Sequence, residues 1–248
     1  MPSRPLPQRI RPLRYQADAG HHWYGTYLTP EVIAFNSEVV PRDSAPQDWD
    51  DVLDPKWRGK VLIRDPVAAG TMRAIFGAII IRSIRETGSV EAGYEWLRKL
   101  DANTKEYVQT PLFLYQKLAR QEGLISLWNM PDIALQKSRN NMALDYIFPS
   151  SGTPLLVDAI AIVKGGSNPE AAKLYYEFVT SADAMYTASN QFLRLPARND
   201  LDNAKLPAWV QETIAQLQPM PLDAALLAEK LDEWMTYWDS HIRNSSRR

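Results

Sequence analysis

Residues 66–71 read Pro-Val-Ala-Ala-Gly-Thr and stand between a short apolar run and a long apolar helix. Ala68, Ala69 and Gly70 carry little or no side chain, so a ligand can approach the backbone there. Thr71 can cap the helix that begins at this point and can offer a hydroxyl. The first N–H groups of a helix lack internal acceptors and lie at the positive end of its dipole, which suits an anion. The same residues also fit an ordinary strand-to-helix turn. Two further helix starts follow strand-like runs in the same sense, at Gln109-Thr110-Pro111 and at Asn129-Met130-Pro131. Ligands of open α/β sheets settle outside the carboxyl ends of strands, where such loops converge. Gly70, Thr71, Gln109, Thr110 and Asn129 are therefore candidates for the wall of one cleft, with Trp128 and Asp132 beside them.

Each of the remaining polar or aromatic candidates has two readings. Trp128 either stacks on a ligand or fills core at a strand end. Asp132 either meets a cation or amine, or favours its helix start by charge. Asp158, inside an apolar strand, needs a partner if buried and is placed at a junction between lobes. His21 and His22 are adjacent, so their side chains point apart on a regular strand, and surface or structural roles are expected. Tyr175-Tyr176 lies in a helical pattern where Ala171, Leu174, Tyr175 and Phe178 share a stripe, which predicts a face turned to the core. No nucleophile elbow, dinucleotide fingerprint, P-loop or zincin motif occurs, so neither catalysis nor a cofactor is expected. There is no cysteine, which removes disulfides and thiolate sites from consideration.

The elements that hold these candidates alternate. Strands are expected at Glu31–Asn36, Val61–Asp65, Lys105–Gln109, Leu124–Trp128, Ala143–Phe148 and Leu155–Val163. Helices are expected after Gly70, after Ser89, from Thr110-Pro111 to about Gln121, from Asn129 and from Asn168-Pro169. The pattern is that of an α/β layer architecture. Near the end, Leu227, Leu231, Trp234, Trp238 and Ile242 form one helical stripe. With 248 residues, 45% of them hydrophobic, and a net charge of −1, the chain can bury a substantial core. The near-neutral charge argues against nucleic acid or an anionic membrane as main partner. The longest apolar run, Ala74–Ile81, is far too short to cross a bilayer. Residues 1–17 hold Arg4, Arg9, Arg11 and Arg14 among four prolines and no acid, with no apolar core of a secretory signal.

The stretch P-x-x-W-D-D-V-L-D-P-K-W-R-G-K-V from Pro46, followed by D-P-x-x-x-G-T from Asp65, resembles the solute receptors of bacterial ABC importers, in the branch containing ferric-iron-binding proteins. Thr29–Asn36, Ser151-Gly152-Thr153-Pro154 running into Leu155–Gly165, and Asn168–Lys173 resemble the same family. The resemblance implies an α/β periplasmic-binding-protein-like (type II) fold of two lobes, one of them incomplete at its N-terminal side. Residues 1–36 and 155–248 would form the partial lobe with the C-terminal helices, and 37–154 the other lobe. Asn36, Pro154 and Asp158 are expected at the hinge. The implied role is capture of a small solute between lobes, favouring an anionic group such as a phosphate or carboxylate, and delivery to permease subunits by a monomer. The family implies a periplasmic setting; without a signal peptide the chain as given would remain cytoplasmic. An incomplete lobe predicts weak capture by this polypeptide alone. Ferric-binding members place a Tyr-Tyr pair just after the strand equivalent to Leu124–Trp128, where this chain has Pro131 and Asp132, so no iron site is expected. A ferric receptor of the same family, or the sensing domain of a transcriptional regulator, are the alternatives; an enzyme on a similar scaffold would need a paired acid–base cluster.

Overall fold

The structure, a computed structural model, describes residues 22–245; the arginine-rich stretch 1–17 and His21 lie outside them. In chain order the strands are β1 (Tyr24–Asn36), β2 (Val61–Arg64), β3 (Thr104–Val108), β4 (Ile125–Asn129), β5 (Leu144–Ile147), β6 (Leu155–Ile160) and β7 (Leu195–Pro196). The helices are α1 (Gly70–Thr87), α2 (Glu91–Asn103), α3 (Pro111–Ala119), α4 (Met130–Arg139), α5 (Pro169–Thr180), α6 (Ala182–Phe192), α7 (Ala208–Gln216) and α8 (Ala224–Tyr237). The chain divides into two units. One holds residues 22–29 with Leu155–Leu217, the other Pro30–Pro154 with 218–245.

The larger unit is built on a sheet of order β3-β2-β4-β1-β5. β2 runs parallel to both β3 and β4, with Arg64 opposite Val108 and Val61 opposite Ile125. β1 returns antiparallel between β4 and β5, where Ile33 lies opposite Leu127 and Ile147. β2 and β4 are buried along nearly their whole length, as expected of strands covered on both faces. α1 follows the same logic: Ile75, Phe76, Ile79, Ile80 and Ile81 are all buried, so its apolar character is not confined to one stripe.

The C-terminal stripe belongs to this unit, which corrects its expected place in the partial lobe. Trp234, Met235, Trp238 and Ile242 are buried in the core of the larger unit. Trp238 meets Phe76 edge-on at 5.4 Å and Tyr107 at 5.3 Å. α8 packs close enough on α1 that a Cβ at Gly77 would lie 2.4 Å from Leu227 Cδ1 and 3.1 Å from Leu231 Cδ1. Burial of that aromatic face against α1 is the physical reason for the reassignment.

In the smaller unit β6 and β7 pair with the start of β1, with Tyr27 opposite Pro196 and Leu28 opposite Leu195. Its core is modest: Leu28, Leu195, Ala197 and Val210, with Trp209 and Ile214 packed against them. Here a second expectation fails. The α5 stripe does not face a core, since Leu174, Tyr175 and Phe178 are 73%, 64% and 68% exposed. No residue of α5 is buried. Tyr176 turns the other way and meets Tyr24 edge-on at 6.1 Å.

Candidate functional site

Because β2, β3 and β4 are mutually parallel, their carboxyl ends lie at one edge of the larger unit's sheet. α1, α3 and α4 all begin there, each shortly after the strand that feeds it. The three starts differ in how their N–H groups are served. Thr110 caps α3, its hydroxyl accepting from the Phe113 amide at 3.3 Å, with Pro111 next. Asn129 caps α4, its side-chain oxygen accepting from the Asp132 amide at 3.0 Å. α1 is preceded by Ala69, whose methyl group cannot cap it, and among the described residues no side-chain cap hydrogen bond is made there. Thr71, expected as a possible cap, stands instead inside the first turn of α1. Gly70 is exposed, and nothing lies within 4 Å of where its Cβ would be.

The residues around Asn129 are drawn into a closed polar cluster. Asp132 Oδ2 accepts from the Tyr115 hydroxyl at 2.9 Å, the Asn129 amide at 3.1 Å and the Trp128 indole N–H at 3.3 Å. Trp128 also donates to the Tyr115 hydroxyl at 3.0 Å and is 4% exposed. Trp128 is packed in the core of the larger unit, and Asp132 stands in the first turn of α4. Its carboxylate lies at the positive end of α4 and compensates that dipole. Tyr115, which joins this cluster from α3, was not among the residues expected from sequence.

Gln109 is exposed and reaches Asp65 Oδ2 at 3.4 Å. Asp65 is the residue just after β2 and organises the turn that leads to Gly70. Its other oxygen accepts from the Val67 amide at 3.0 Å and its carbonyl from Ala68 at 3.2 Å. Burial pushes this carboxyl up, but the Arg243 guanidinium and the Val67 amide outweigh it and hold it below the usual carboxylate range. Neither Asp65 nor Arg243 was singled out from sequence.

The Trp/Asp-rich turn has a structural task. Asp48 caps the short helical turn Trp49–Leu53 and accepts from both Ser150 and Ser151 hydroxyls, at 2.9 and 2.5 Å. The Trp49 indole donates to the Gly152 carbonyl at 2.8 Å. Asp50 takes the Trp96 indole at 2.7 Å and Arg82 at 2.5 Å. The Ser-Gly-Thr-Pro motif is thus bolted to that turn, and the Thr153 amide donates to the Gln218 carbonyl at 2.7 Å.

The residues expected at the hinge separate. Asn36 is fully buried inside the larger unit; its amide donates to Leu118 O at 2.8 Å and its oxygen accepts from the Glu38 amide at 2.9 Å. With its side chain engaged on both sides, it sits seven residues beyond the division at 29/30, which corrects its placement at a crossing. Pro154 stands at the 154/155 division, and a further crossing at 217/218 was not expected. Asp158 lies in the smaller unit, where its carboxylate accepts from the Thr29 hydroxyl at 2.8 Å. His22 is exposed. Among the described residues no group of three or more His, Cys, Asp or Glu is arranged to hold a metal, and no helix is long and apolar enough to cross a membrane.

The model of the bacterial extracellular solute-binding protein family matches residues 6–214. A probable ABC transporter periplasmic-binding protein of Sinorhizobium fredii is 27% identical over 220 residues, 88% of this chain and 60% of that protein. A putative 2-aminoethylphosphonate-binding periplasmic protein of Salmonella typhimurium is 25% identical over 211 residues, 81% of this chain and 60% of that one. The chain therefore spans less than two thirds of the length of these relatives. Among solved structures, the ferric binding protein from Campylobacter jejuni superposes with a TM-score of 0.73 at 20% identity, covering 95% of this chain and 73% of that one. That likeness shows the fold, the type II periplasmic-binding-protein architecture.

Proposed function

Because the chain belongs to the bacterial extracellular solute-binding protein family, we propose that it acts in solute capture for an ABC importer and holds the anionic group of a small organic solute at the Gly70 end of α1. The observation that carries this reading is the uncapped, exposed start of an eighteen-residue helix at the edge where two further helices begin. Each helix terminus contributes about 0.3–1 kcal/mol toward an anion, so several acting together are needed for useful affinity. Gly70 and Thr71 supply the free N–H groups, while Gln109 and Thr110 flank them from the neighbouring strand end. Asn129, Trp128 and Asp132 stiffen the edge without reaching the solute. A phosphonate or phosphate headgroup fits such donors, and the name of the Salmonella relative agrees with that class. The same reading places the protein as a monomer in the periplasm, handing solute to permease subunits.

Ferric iron is the less favoured cargo. A hard trivalent ion seeks anionic oxygen donors. Pro131 and Asp132 stand where the ferric receptors have tyrosines, and Asp132 is already shared by three donors.

The test is a titration of the isotopically labelled chain with 2-aminoethylphosphonate, followed by amide chemical shifts, which register millimolar binding. The Gly70 and Thr71 amides are expected to move most. Gly70→Glu places a carboxylate where the anion would sit, in open space. It should leave thermal stability unchanged or slightly higher and abolish those shifts. Unchanged shifts in Gly70→Glu, or a response to ferric citrate alone, would overturn the reading.

A further inference from the structure

Arg243 closes the far end of the chain onto the turn that aims α1. It follows a π-helical turn, Trp238–Ile242, and its amide donates to the Trp238 carbonyl at 2.9 Å. One guanidinium nitrogen donates to Asp65 Oδ2 at 2.9 Å and the other to Asp239 at 2.9 Å. The guanidinium carbon lies 5.3 and 5.6 Å from the centroids of the Tyr107 and Trp238 rings. Next to it the Asn244 amide donates at 2.8 Å to Asp101, which also accepts from the Tyr107 hydroxyl at 2.6 Å. Two successive residues of the C-terminal segment are thus tied to the strand-end region of β2 and β3.

Asp65 is the common member of these contacts and of the turn. Its side-chain oxygens serve Arg243 and Gln109 on one side and the Val67 amide on the other. The side chains of the Arg243–Asp65 pair are 24% and 11% exposed, so the carboxylate is poorly hydrated without its partner. Of residues 66–69, Pro66 fixes its own φ, but none has a side chain able to hydrogen-bond. The side-chain hydrogen bond to this turn comes from Asp65, which Arg243 in turn grips.

Resting on the reading of Gly70–Thr71 as the anion site, we infer that Arg243 is a positioning residue for that site: through Asp65 it holds the 66–69 turn so that the α1 amides converge on the ligand. The guanidinium does not touch the solute in this arrangement. It keeps Asp65 ionised and in place, and the C-terminal segment becomes part of the binding apparatus of a region 178 residues earlier in the chain. A guanidinium suits the task because it can grip Asp65 and Asp239 with separate nitrogens while its charge lies near two aromatic rings.

The whole chain and the variants Arg243→Met, Asp65→Asn and their combination are titrated with 2-aminoethylphosphonate by amide shifts, with thermal unfolding measured in parallel. Methionine preserves contact with the rings and removes only the charged grip. Arg243→Met is expected to weaken phosphonate binding about tenfold and to move the Val67 and Gly70 amide signals of the free protein. The same change made in Asp65→Asn should have little further effect, because the asparagine oxygen still accepts from Val67 without leaving a buried charge unpaired. Arg243→Lys should recover part of the affinity, and it replaces Arg243→Met in the comparison if the latter does not fold. Equal affinity in wild type and Arg243→Met overturns the inference while leaving the anion site intact. An equal loss in both backgrounds also overturns it, since Arg243 would then act other than through Asp65. A wild-type chain whose Gly70 and Thr71 amides ignore every phosphonate and phosphate overturns the anion reading itself, and the inference with it.

Discussion

Asp48 accepts hydrogen bonds from the hydroxyls of Ser150 and Ser151 and from the Trp49 amide, so one carboxylate joins two parts of the chain a hundred residues apart. Removing such a cap exposes helical N–H groups and leaves the two serines without their acceptor. Asp48→Ala should therefore cost about 1–2 kcal/mol in urea unfolding. Its protonation carries a second signature. Burial pushes the Asp48 carboxyl up, yet Ser151, the Trp49 amide and Ser150 together hold it below the ordinary carboxylate range. Asp65 is depressed as well, with burial opposed chiefly by Arg243. A carboxyl whose folded value lies below its unfolded one contributes stability above the unfolded value, about 3.9, and loses it as pH falls through the folded value. Unfolding free energy should stay level near neutrality and decline below about pH 4. The decline should be shallower in Asp48→Asn, as read from urea midpoints across that range. A steeper acid decline in the variant would contradict the assignment.

α1 and α8 show how element packing sets what a substitution costs. At Gly77 the first side-chain carbon would already crowd Leu227 and Leu231. Gly77→Leu should lever α8 from α1 and destabilise the larger unit by about 1–3 kcal/mol, seen as a lower urea midpoint with an unchanged slope. The element level is also where sequence was most and least informative. Thr110-Pro111 and Asn129-Met130-Pro131 announced α3 and α4, because cap and proline chemistry is decided within four residues. The Leu227–Ile242 stripe announced an apolar face, but its spacing holds no information about which unit receives it. The strand at Glu31–Asn36 starts seven residues earlier, at Tyr24, because pairing with Pro196 and Leu195 extends it. Asp65 opens the D-P-x-x-x-G-T motif, but its pairing with Arg243 left no trace in local pattern, since that contact depends on the fold bringing distant residues together. The contacts of Trp128 and Asp132 with Tyr115 likewise depend on another helix, which local pattern does not report.

Across the whole molecule apolar burial is uneven, and the unevenness has a measurable consequence. Among the described residues the larger unit buries a continuous core from Ile33 to Ile242, whereas the smaller unit closes around a handful of side chains. On α5 the residues that helical spacing marks as a core face stand in solvent. Periodicity reports that a helix has an apolar side; it says nothing about whether another element covers it. An apolar side chain that is exposed in the folded chain gains little from folding, so its replacement by a polar one changes stability by no more than about 0.5 kcal/mol. A contiguous exposed patch does, however, drive association. Leu174→Lys combined with Phe178→Glu should thus leave the unfolding midpoint of the chain nearly unchanged. Light scattering at high protein concentration should fall relative to the unmodified chain. A drop of several degrees in the midpoint would mean that this face is packed in solution, because only covered side chains lose burial when made polar.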